Sequence, residues 1–226
     1  MEINQFIDHT LLNPLATEKE IEQFCVETIQ NNFKGICLHS RWISLAKVLL
    51  AQSGHEIAAV ADFPFGASLN ISRLKQIEYC LLEGATEIDL VAPLNYINEN
   101  NWEALFKDIL SARQLIGTRG KLKVIIEVSL FSAEQIIQAS RICGQASVYM
   151  VKTSTGIINK RPTQIKDIEL IKEGLIDFPD VQIKASAGIK TYEQAAEFIN
   201  AGVTRLGTSS ALNIINESKF SERIRS

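Results

Sequence analysis

The sequence has no long apolar run, no basic opening segment and no excess of positive charge. Its apolar runs stay well below the roughly 20 residues that a membrane-spanning helix needs. The opening residues MEINQFIDHT contain neither a basic nor an apolar stretch, so we expect no secretory signal. With 23 Lys and Arg against 26 Asp and Glu, the net charge is -3, which argues against a nucleic-acid-binding surface. These absences exclude a membrane-spanning protein and disfavour a DNA or RNA binder.

Cysteine and histidine are scarce and scattered. The four cysteines form no C-x-x-C pair, so a reduced, cytoplasmic protein is expected. The three histidines show no H-E-x-x-H or similar spacing, and we predict no metal site. Cys37 and His39 lie two residues apart, which is poor spacing for a nucleophile and its base. We therefore expect Cys37 to fill the core, as a free cysteine usually does.

Glycine-rich phosphate loops are also missing, and eight short apolar runs are present instead. Neither G-x-G-x-x-G nor a P-loop occurs, which argues against an open sheet that binds a dinucleotide. The eight runs are rich in Val and Ile and too short for helices, so each predicts a strand. They are QFIDHTLL, FKGICLH, HEIAAVADF, ATEIDLVAP, KLKVIIEVS, ASVYMVKTS, DVQIKASAG and GVTRLGTSS.

Amphipathic stretches with helical spacing separate these runs. Thr17 and Glu20 have the spacing of a capping box, and Thr191 begins a helical stretch that ends before Gly202. Strands that alternate with helices indicate parallel βαβ units, and nearly continuous apolar strands require a sheet buried on both faces. No linker or change in composition divides the chain. We therefore predict one α/β domain over residues 1–226, a (β/α)8 TIM barrel with parallel strands inside an outer ring of helices.

Polar residues lie where several of the predicted strands end. The active sites of such barrels are found at the carboxyl ends of the strands. A charged group buried there needs a partner, so each residue taken alone is equally consistent with a structural ion pair. The candidates are Asp8, Thr10, Asp89, Glu127, Lys152 and Lys184.

Two of these candidates, Lys152 and Lys184, are one βα repeat apart and should end adjacent strands. Neighbouring strands are about 4.8 Å apart, so the two ammonium groups can approach each other closely. A free lysine has a pKa of about 10.4, and a second cation in a partly apolar pocket lowers it. The pair therefore indicates an amine that attacks a carbonyl, with Asp89 as a candidate acid–base group.

Small residues follow the last three strands and indicate an anion site. KTSTG, KASAG and LGTSS each bring glycine backbone and hydroxyl groups to the end of a strand. Ser209 and Ser210 should begin the last helix, whose N-terminal end favours phosphate. Turn and capping chemistry alone would explain these segments equally well. Combined with an amine nucleophile, they indicate a Schiff-base enzyme acting on a sugar phosphate.

Six segments, in order along nearly the whole chain, resemble the deoxyribose-phosphate aldolase family. They are IDHTLL, EIDLV, KVIIE, VKTSTG, KASAGI and RLGTSS, of which VKTSTG is highly specific. The resemblance implies a class I aldolase without metal or cofactor. It implies reversible cleavage of 2-deoxy-D-ribose 5-phosphate to D-glyceraldehyde 3-phosphate and acetaldehyde.

The resemblance also implies roles for individual residues. Lys152 would form the Schiff base, Lys184 would perturb it and assist proton transfer, and Asp89 would relay protons. Three residues would contact the substrate: Asp8, Thr10 and Thr155. Five would bind its phosphate: Gly156, Gly188, Gly207, Ser209 and Ser210. Glu127 is a candidate partner for the lysines.

The chain departs from the family pattern around the predicted phosphate site. The family usually has Gly-Gly, an apolar residue and Arg after the second lysine, whereas this chain reads Ala187, Gly188, Ile189 and Lys190. A lysine cannot grip phosphate in the bidentate manner of arginine. The 157–163 loop lacks the usual glycines, and Lys160 or Arg161 is expected to supply charge there.

Two alternatives remain open from the sequence. One is another lysine Schiff-base enzyme, such as a transaldolase or a different class I aldolase, acting on a sugar phosphate. The other is a non-catalytic barrel that binds sugar phosphates, although Lys152, Lys184 and Asp89 are all present. The expected partners are small molecules, the sugar phosphate and acetaldehyde, and a homodimer is the expected assembly.

Overall fold

Eight parallel strands close into a barrel in the computed structural model, which describes residues 2–225. Each strand pairs with the next, and the eighth pairs with the first through Ile7 and Leu206. The strands are β1 (Ile7–Leu11), β2 (Gly35–His39), β3 (Glu56–Ala61), β4 (Glu87–Val91), β5 (Lys121–Ile125), β6 (Met150–Lys152), β7 (Gln182–Ser186) and β8 (Arg205–Thr208). Each of the eight apolar runs contains one strand, so the predicted (β/α)8 fold is confirmed.

Helices surround the barrel in the described part of the chain. They are α1 (Glu18–Gln30), α2 (Ile43–Leu49), α3 (Asn70–Glu83), α4 (Leu94–Asn98), α5 (Trp102–Ile116), α6 (Ala133–Gln145), α7 (Ile165–Gly174), α8 (Tyr192–Asn200) and α9 (Ala211–Arg225). The capping boxes predicted at Thr17 and Thr191 both form. The sequence analysis did not identify α2 and α4, because helices of two turns or fewer leave little periodicity to detect.

The two faces of the strands have different surroundings. Outward residues such as Ile36, Val124 and Leu206 belong to the large apolar core between the strands and the helices. Inside the barrel, Cys37 packs with Ala58 and Val60 in a small separate apolar cluster, as expected for a buried thiol. The interior beyond this cluster, towards the other strands, is filled largely by charged side chains. This polar interior positions the site described below.

His9 is a buried histidine on the outer face of β1, against α1. Its ring stacks on Phe24 with centroids 3.6 Å apart, and its Nε2 lies 3.2 Å from Glu27 Oε2. Burial lowers the pKa of His9 to about 4, although Glu27 opposes this shift. Burial therefore outweighs the nearby carboxylate, and His9 is neutral at pH 7.

Because His9 binds a proton more readily in the unfolded chain, the protein should lose stability as the pH falls from about 6.5 to about 4. The stabilisation is complete above the unfolded pKa and decreases by about 3 kcal/mol across this window. Urea unfolding of the wild type and of His9→Phe, which cannot titrate, measures the difference. A difference that does not change between pH 7 and pH 4 would contradict this assignment.

Candidate active site

Strand register brings the two predicted lysines together. Lys152 and Lys184 are direct partners across β6 and β7, as the sequence predicted. Lys184 is likewise opposite Arg205 across β7 and β8, and Asp89 is opposite Lys123 across β4 and β5. Side chains of directly paired residues point to the same face of a sheet. These five residues therefore converge inside the barrel.

Asp89 lies between the two lysines. Its Oδ2 accepts a hydrogen bond of 2.8 Å from Lys152 Nζ and another of 2.8 Å from Lys184 Nζ. Cys37 Sγ approaches the same oxygen at 3.7 Å. The two ammonium groups thus share one carboxylate oxygen, that of the candidate acid–base residue Asp89.

Asp8 forms a second carboxylate centre beneath Lys184. Its Oδ2 accepts from Lys184 Nζ and, at 3.0 Å, from Lys123 Nζ, while its Oδ1 accepts from Arg205 at 2.7 Å. Arg205 also donates to Glu87 Oε2 at 3.0 Å, and Lys123 contacts Glu87 and, at 3.2 Å, Asp89 Oδ1. We call the seven residues of this network the ion cluster: Asp8, Glu87, Asp89, Lys123, Lys152, Lys184 and Arg205.

Sequence reasoning missed three members of the ion cluster, namely Glu87, Lys123 and Arg205. The sequence contains a signal for two of them, Glu87 and Lys123. Glu87 lies two residues before Asp89 on one strand, so it points to the same side, and Lys123 begins the KVIIE segment. Charged residues at alternate positions of an otherwise buried strand indicate partners on the facing strands.

The carboxylates and cations of the ion cluster stabilise each other's charged forms. Burial alone would raise the pKa of Asp89, but Lys123, Lys152 and Lys184 outweigh it and hold that pKa far below its usual range. Burial would lower the pKa of Lys184, but Asp8 and Asp89 hold it above the usual lysine value. Both groups are therefore ionised at neutral pH.

A cavity of about 450 Å³ opens above the ion cluster at the carboxyl ends of the strands. Lys152 lines it, although only 3% of this residue is exposed. Thr10 and Thr155 also line it, together with all five residues of the predicted phosphate site: Gly156, Gly188, Gly207, Ser209 and Ser210. The structure thus places the predicted nucleophile and the predicted anion site in one cavity.

At two positions of this cavity, glycine is required because an added Cβ would lie too close to a neighbouring side chain. A side chain at Gly188 would place its Cβ 2.5 Å from Pro162 Cβ, and the φ of +84° there already disfavours one. At Gly207, an added Cβ would lie 3.0 Å from Lys184 Cε. Gly207 therefore leaves the space through which the Lys184 side chain reaches Asp89.

Asp8, which the resemblance implied as a substrate contact, lies below the cavity. It is fully buried, it does not line the cavity, and three cations occupy its two oxygen atoms. Asp8 pairs with Gly207 and its carboxylate is held among the cations below the cavity, whereas Thr10 lies two residues further along β1, at the rim. Of these two residues of β1, Thr10 and not Asp8 therefore lines the cavity.

Glu127 also lies away from its expected partners. Its backbone is left-handed, with a φ of +49°, and its Oε2 accepts a hydrogen bond of 2.9 Å from the Thr155 backbone N–H. Ser129 Oγ donates to its other oxygen at 3.2 Å. Glu127 thus holds the loop after Lys152 and does not contact the lysines.

The residues that depart from the family pattern have distinct surroundings. Ala187 adopts a φ of +79°, a conformation that glycine adopts more readily. Arg161 forms a two-pronged ion pair with Asp167 at 3.0 and 3.1 Å, so it does not supply free charge to the cavity as expected. Lys190 is exposed and lines the cavity, so it adds a positive charge to the lining.

Neither a metal-binding cluster, among the side chains of residues 2–220, nor a membrane-spanning helix occurs in the part of the chain that the structure describes. No three His, Cys, Asp or Glu side chains come together in an arrangement that could hold a metal ion. Every helix falls short of the length and apolarity required to cross a lipid bilayer.

Comparisons with known proteins agree with this geometry. The chain matches the family model described as DeoC/LacD family aldolase over residues 3–216. It is 38% identical over 220 residues to the deoxyribose-phosphate aldolase of Mycoplasmopsis pulmonis, which covers 97% of this chain and 98% of that relative. It is 35% identical over 216 residues to the deoxyribose-phosphate aldolase of Clostridium kluyveri, which covers 96% of this chain and 98% of that one.

A solved structure gives the same result at the level of the fold. The tetrameric deoxyribose phosphate aldolase from Aeropyrum pernix superposes with a TM-score of 0.88 at 26% identity, covering 96% of this chain and 91% of that chain. The resemblance seen in the sequence motifs is thus confirmed over almost the full length. The chain belongs to the DeoC/LacD aldolase family.

Proposed function

We propose that the protein is a class I aldolase that reversibly cleaves 2-deoxy-D-ribose 5-phosphate to D-glyceraldehyde 3-phosphate and acetaldehyde. The observation that carries this proposal is the position of Lys152, the one lysine of the ion cluster that lines the cavity. The relatives named above are deoxyribose-phosphate aldolases, which supports the same substrate.

The reaction begins at Lys152. Its neutral Nζ attacks the C1 aldehyde of the open-chain sugar, and loss of water gives an imine that is protonated on nitrogen. Asp89, acting through a water molecule, removes the proton of the C3 hydroxyl. The C2–C3 bond then breaks, C3 becomes the aldehyde carbon of D-glyceraldehyde 3-phosphate, and the bond electrons pass into the imine, which leaves C1 and C2 on Lys152 as an enamine.

The enamine left on Lys152 completes the cycle. A proton adds to its C2 carbon, water hydrolyses the resulting imine, and acetaldehyde leaves with Nζ restored. Asp89 is ionised and lies 2.8 Å from Lys152 Nζ, so it can accept the proton that this nitrogen gives up and return it later in the cycle. Lys184 stays cationic and disfavours a second ammonium group beside it, which is the role we propose for it.

The remaining cavity residues hold the far end of the substrate. We assign phosphate binding to the backbone and hydroxyl groups of the five predicted residues, with Lys190 as the cation. Thr10 and Thr155 are assigned to the sugar hydroxyls. Fixing the phosphate positions the scissile bond next to the imine, which lowers the entropic part of the barrier.

Sugar cleavage with and without the phosphate tests this proposal. Purified protein should release acetaldehyde from 2-deoxy-D-ribose 5-phosphate, measured by coupling to NADH oxidation. The value of kcat/KM should fall roughly a hundredfold with unphosphorylated deoxyribose, because charged hydrogen bonds are lost. Lys190→Gln should raise KM for the phosphorylated sugar about fivefold, the effect of one exposed ion pair.

Lys166→Gln is the matched control, since Lys166 is an exposed lysine of α7 outside the cavity lining. It should leave KM unchanged. Equal rates with both sugars would contradict the phosphate assignment, and no acetaldehyde from either would contradict the substrate. We also propose a cytoplasmic location, supported by the four free cysteines, and a homodimer, which sedimentation would measure.

A further inference from the structure

The ion cluster contains one more cationic group than it has carboxylates. Lys123, Lys152, Lys184 and Arg205 face Asp8, Glu87 and Asp89 inside the barrel. If all seven were ionised, one positive charge would lack a counter-charge in a region closed to solvent. Such an excess is costly where the dielectric constant is low. The cluster becomes neutral when one of its lysines loses its proton.

The contacts determine which lysine that is. Lys123 contacts all three carboxylates, and Lys184 contacts Asp8 and Asp89. Lys152 contacts Asp89 alone, through the oxygen that Lys184 also uses. Deprotonation of Lys152 therefore removes the fewest ion pairs from the cluster. Lys152 is also the lysine of the cluster that reaches the cavity.

Glu87 and Arg205 lie at the floor of the cluster and line no part of the cavity. Arg205 donates to Glu87 and to Asp8, and both floor residues are at least 98% buried. We propose that Glu87 and Arg205 are positioning residues that set the neutral fraction of Lys152 through the net charge of the ion cluster. This inference rests on the proposed function, because it concerns the nucleophile of that reaction.

Few other titratable groups face the cluster. β2 contributes Cys37, whose buried thiol has a raised pKa and stays uncharged at neutral pH. β3 contributes Ala58 and Val60, together with Glu56, a partly buried carboxylate that pairs with Lys121. From β5, Lys121 Nζ lies 3.9 Å from Glu87 Oε1, but it is 42% exposed and already paired with Glu56 at 2.8 Å. The charge count therefore depends on the seven cluster residues.

Removing a cation from the ion cluster and removing an anion from it should move the pH profile of kcat/KM in opposite directions. The acid limb of kcat/KM reports the deprotonation of the essential amine in the free enzyme. Arg205→Gln removes a cation and should move this limb to higher pH by about one unit. Glu87→Gln removes an anion and should move it to lower pH by a similar amount. A purely structural role would lower activity without moving the limb.

Two further variants separate charge from packing. The double variant Glu87→Gln/Arg205→Gln restores the original charge count, so its acid limb should return to the wild-type position. Arg205→Lys keeps the charge and should also leave the limb in place. Limbs that coincide in all of these variants would overturn the inference.

Lys121→Glu covers the case in which the buried variants do not fold. This substitution reverses a half-exposed charge beside Glu87 and should move the limb upward by about half a unit, since solvent screens it. Trapping with acetaldehyde and cyanoborohydride across the pH range distinguishes failure of the proposed function from failure of the inference about Glu87 and Arg205. No Lys152 adduct in the wild type would overturn the proposed function, whereas an adduct with an unmoved limb in Lys121→Glu would overturn the inference alone.

Discussion

Replacing Lys152 with leucine is expected to reduce deoxyribose 5-phosphate cleavage by about 10⁵-fold, because the covalent route through a positioned amine is lost. Borohydride reduction with acetaldehyde should add a two-carbon group to the wild-type peptide that carries Lys152. The same treatment of Lys152→Leu should add none. Intact-protein and peptide mass spectrometry measure both results.

The fold should survive this substitution. Asp89 keeps Lys184 at 2.8 Å and Lys123 at 3.2 Å when Lys152 is absent, so no carboxylate is left without a cation. Lys166→Leu, at an exposed position on α7, is the control for the general loss of a lysine and should retain wild-type activity and trapping. A folded Lys152→Leu protein that still traps acetaldehyde elsewhere in the cavity would disprove the assignment of the nucleophile.

The second large effect is expected at Asp8, and it concerns stability. Asp8→Asn removes a fully buried carboxylate that contacts Lys123, Lys184 and Arg205, which leaves those cations with only Glu87 and Asp89. Breaking a buried ion pair on one side typically destabilises a protein by about 3–5 kcal/mol. For a chain of this size, that loss lowers the thermal midpoint by roughly 10 °C. Calorimetry or circular dichroism would measure the change.

A surface carboxylate supplies the comparison. Glu103→Gln removes an exposed partner of Lys107 on α5 and should leave the thermal midpoint where it is. If Asp8→Asn has the thermal midpoint of the wild type but a much higher KM for the sugar, then Asp8 contacts the substrate, as the family resemblance implied. A lowered midpoint with a nearly unchanged KM supports the buried role seen in the structure.

The fold was predictable because its two periodicities are clear in the sequence. Apolar runs such as HEIAAVADF leave no amphipathic alternation, so they require burial on both faces, and the intervening stretches repeat at helical spacing. The pairing of Lys152 with Lys184 followed from the same reasoning, because residues at equivalent positions of adjacent parallel strands lie side by side. The short helices α2 and α4 carried too few turns to be recognised.

The floor of the site was not predictable in the same way. A strand pattern shows that Lys123 and Arg205 point inward, but it does not show how far each long side chain reaches or which carboxylate it meets across the barrel. The depth of Asp8 inside the barrel depends on the register between β1 and β8, which cannot be read from the sequence. The position of the Glu127 carboxylate depends on a left-handed backbone conformation, which turns it towards Thr155.

The charges of the ion cluster are divided unevenly along the chain. The first five strands carry all three carboxylates and one lysine, whereas the last three strands carry three cations and no carboxylate of the cluster. Asp8 and Arg205, which bond directly, are separated by 197 positions. A nascent chain that has completed only β1 to β5 therefore holds an excess of negative charge that it cannot bury. Its interior can close only when the last strands emerge and bring the opposite charge, so synthesis of the C-terminal third is the step that completes folding.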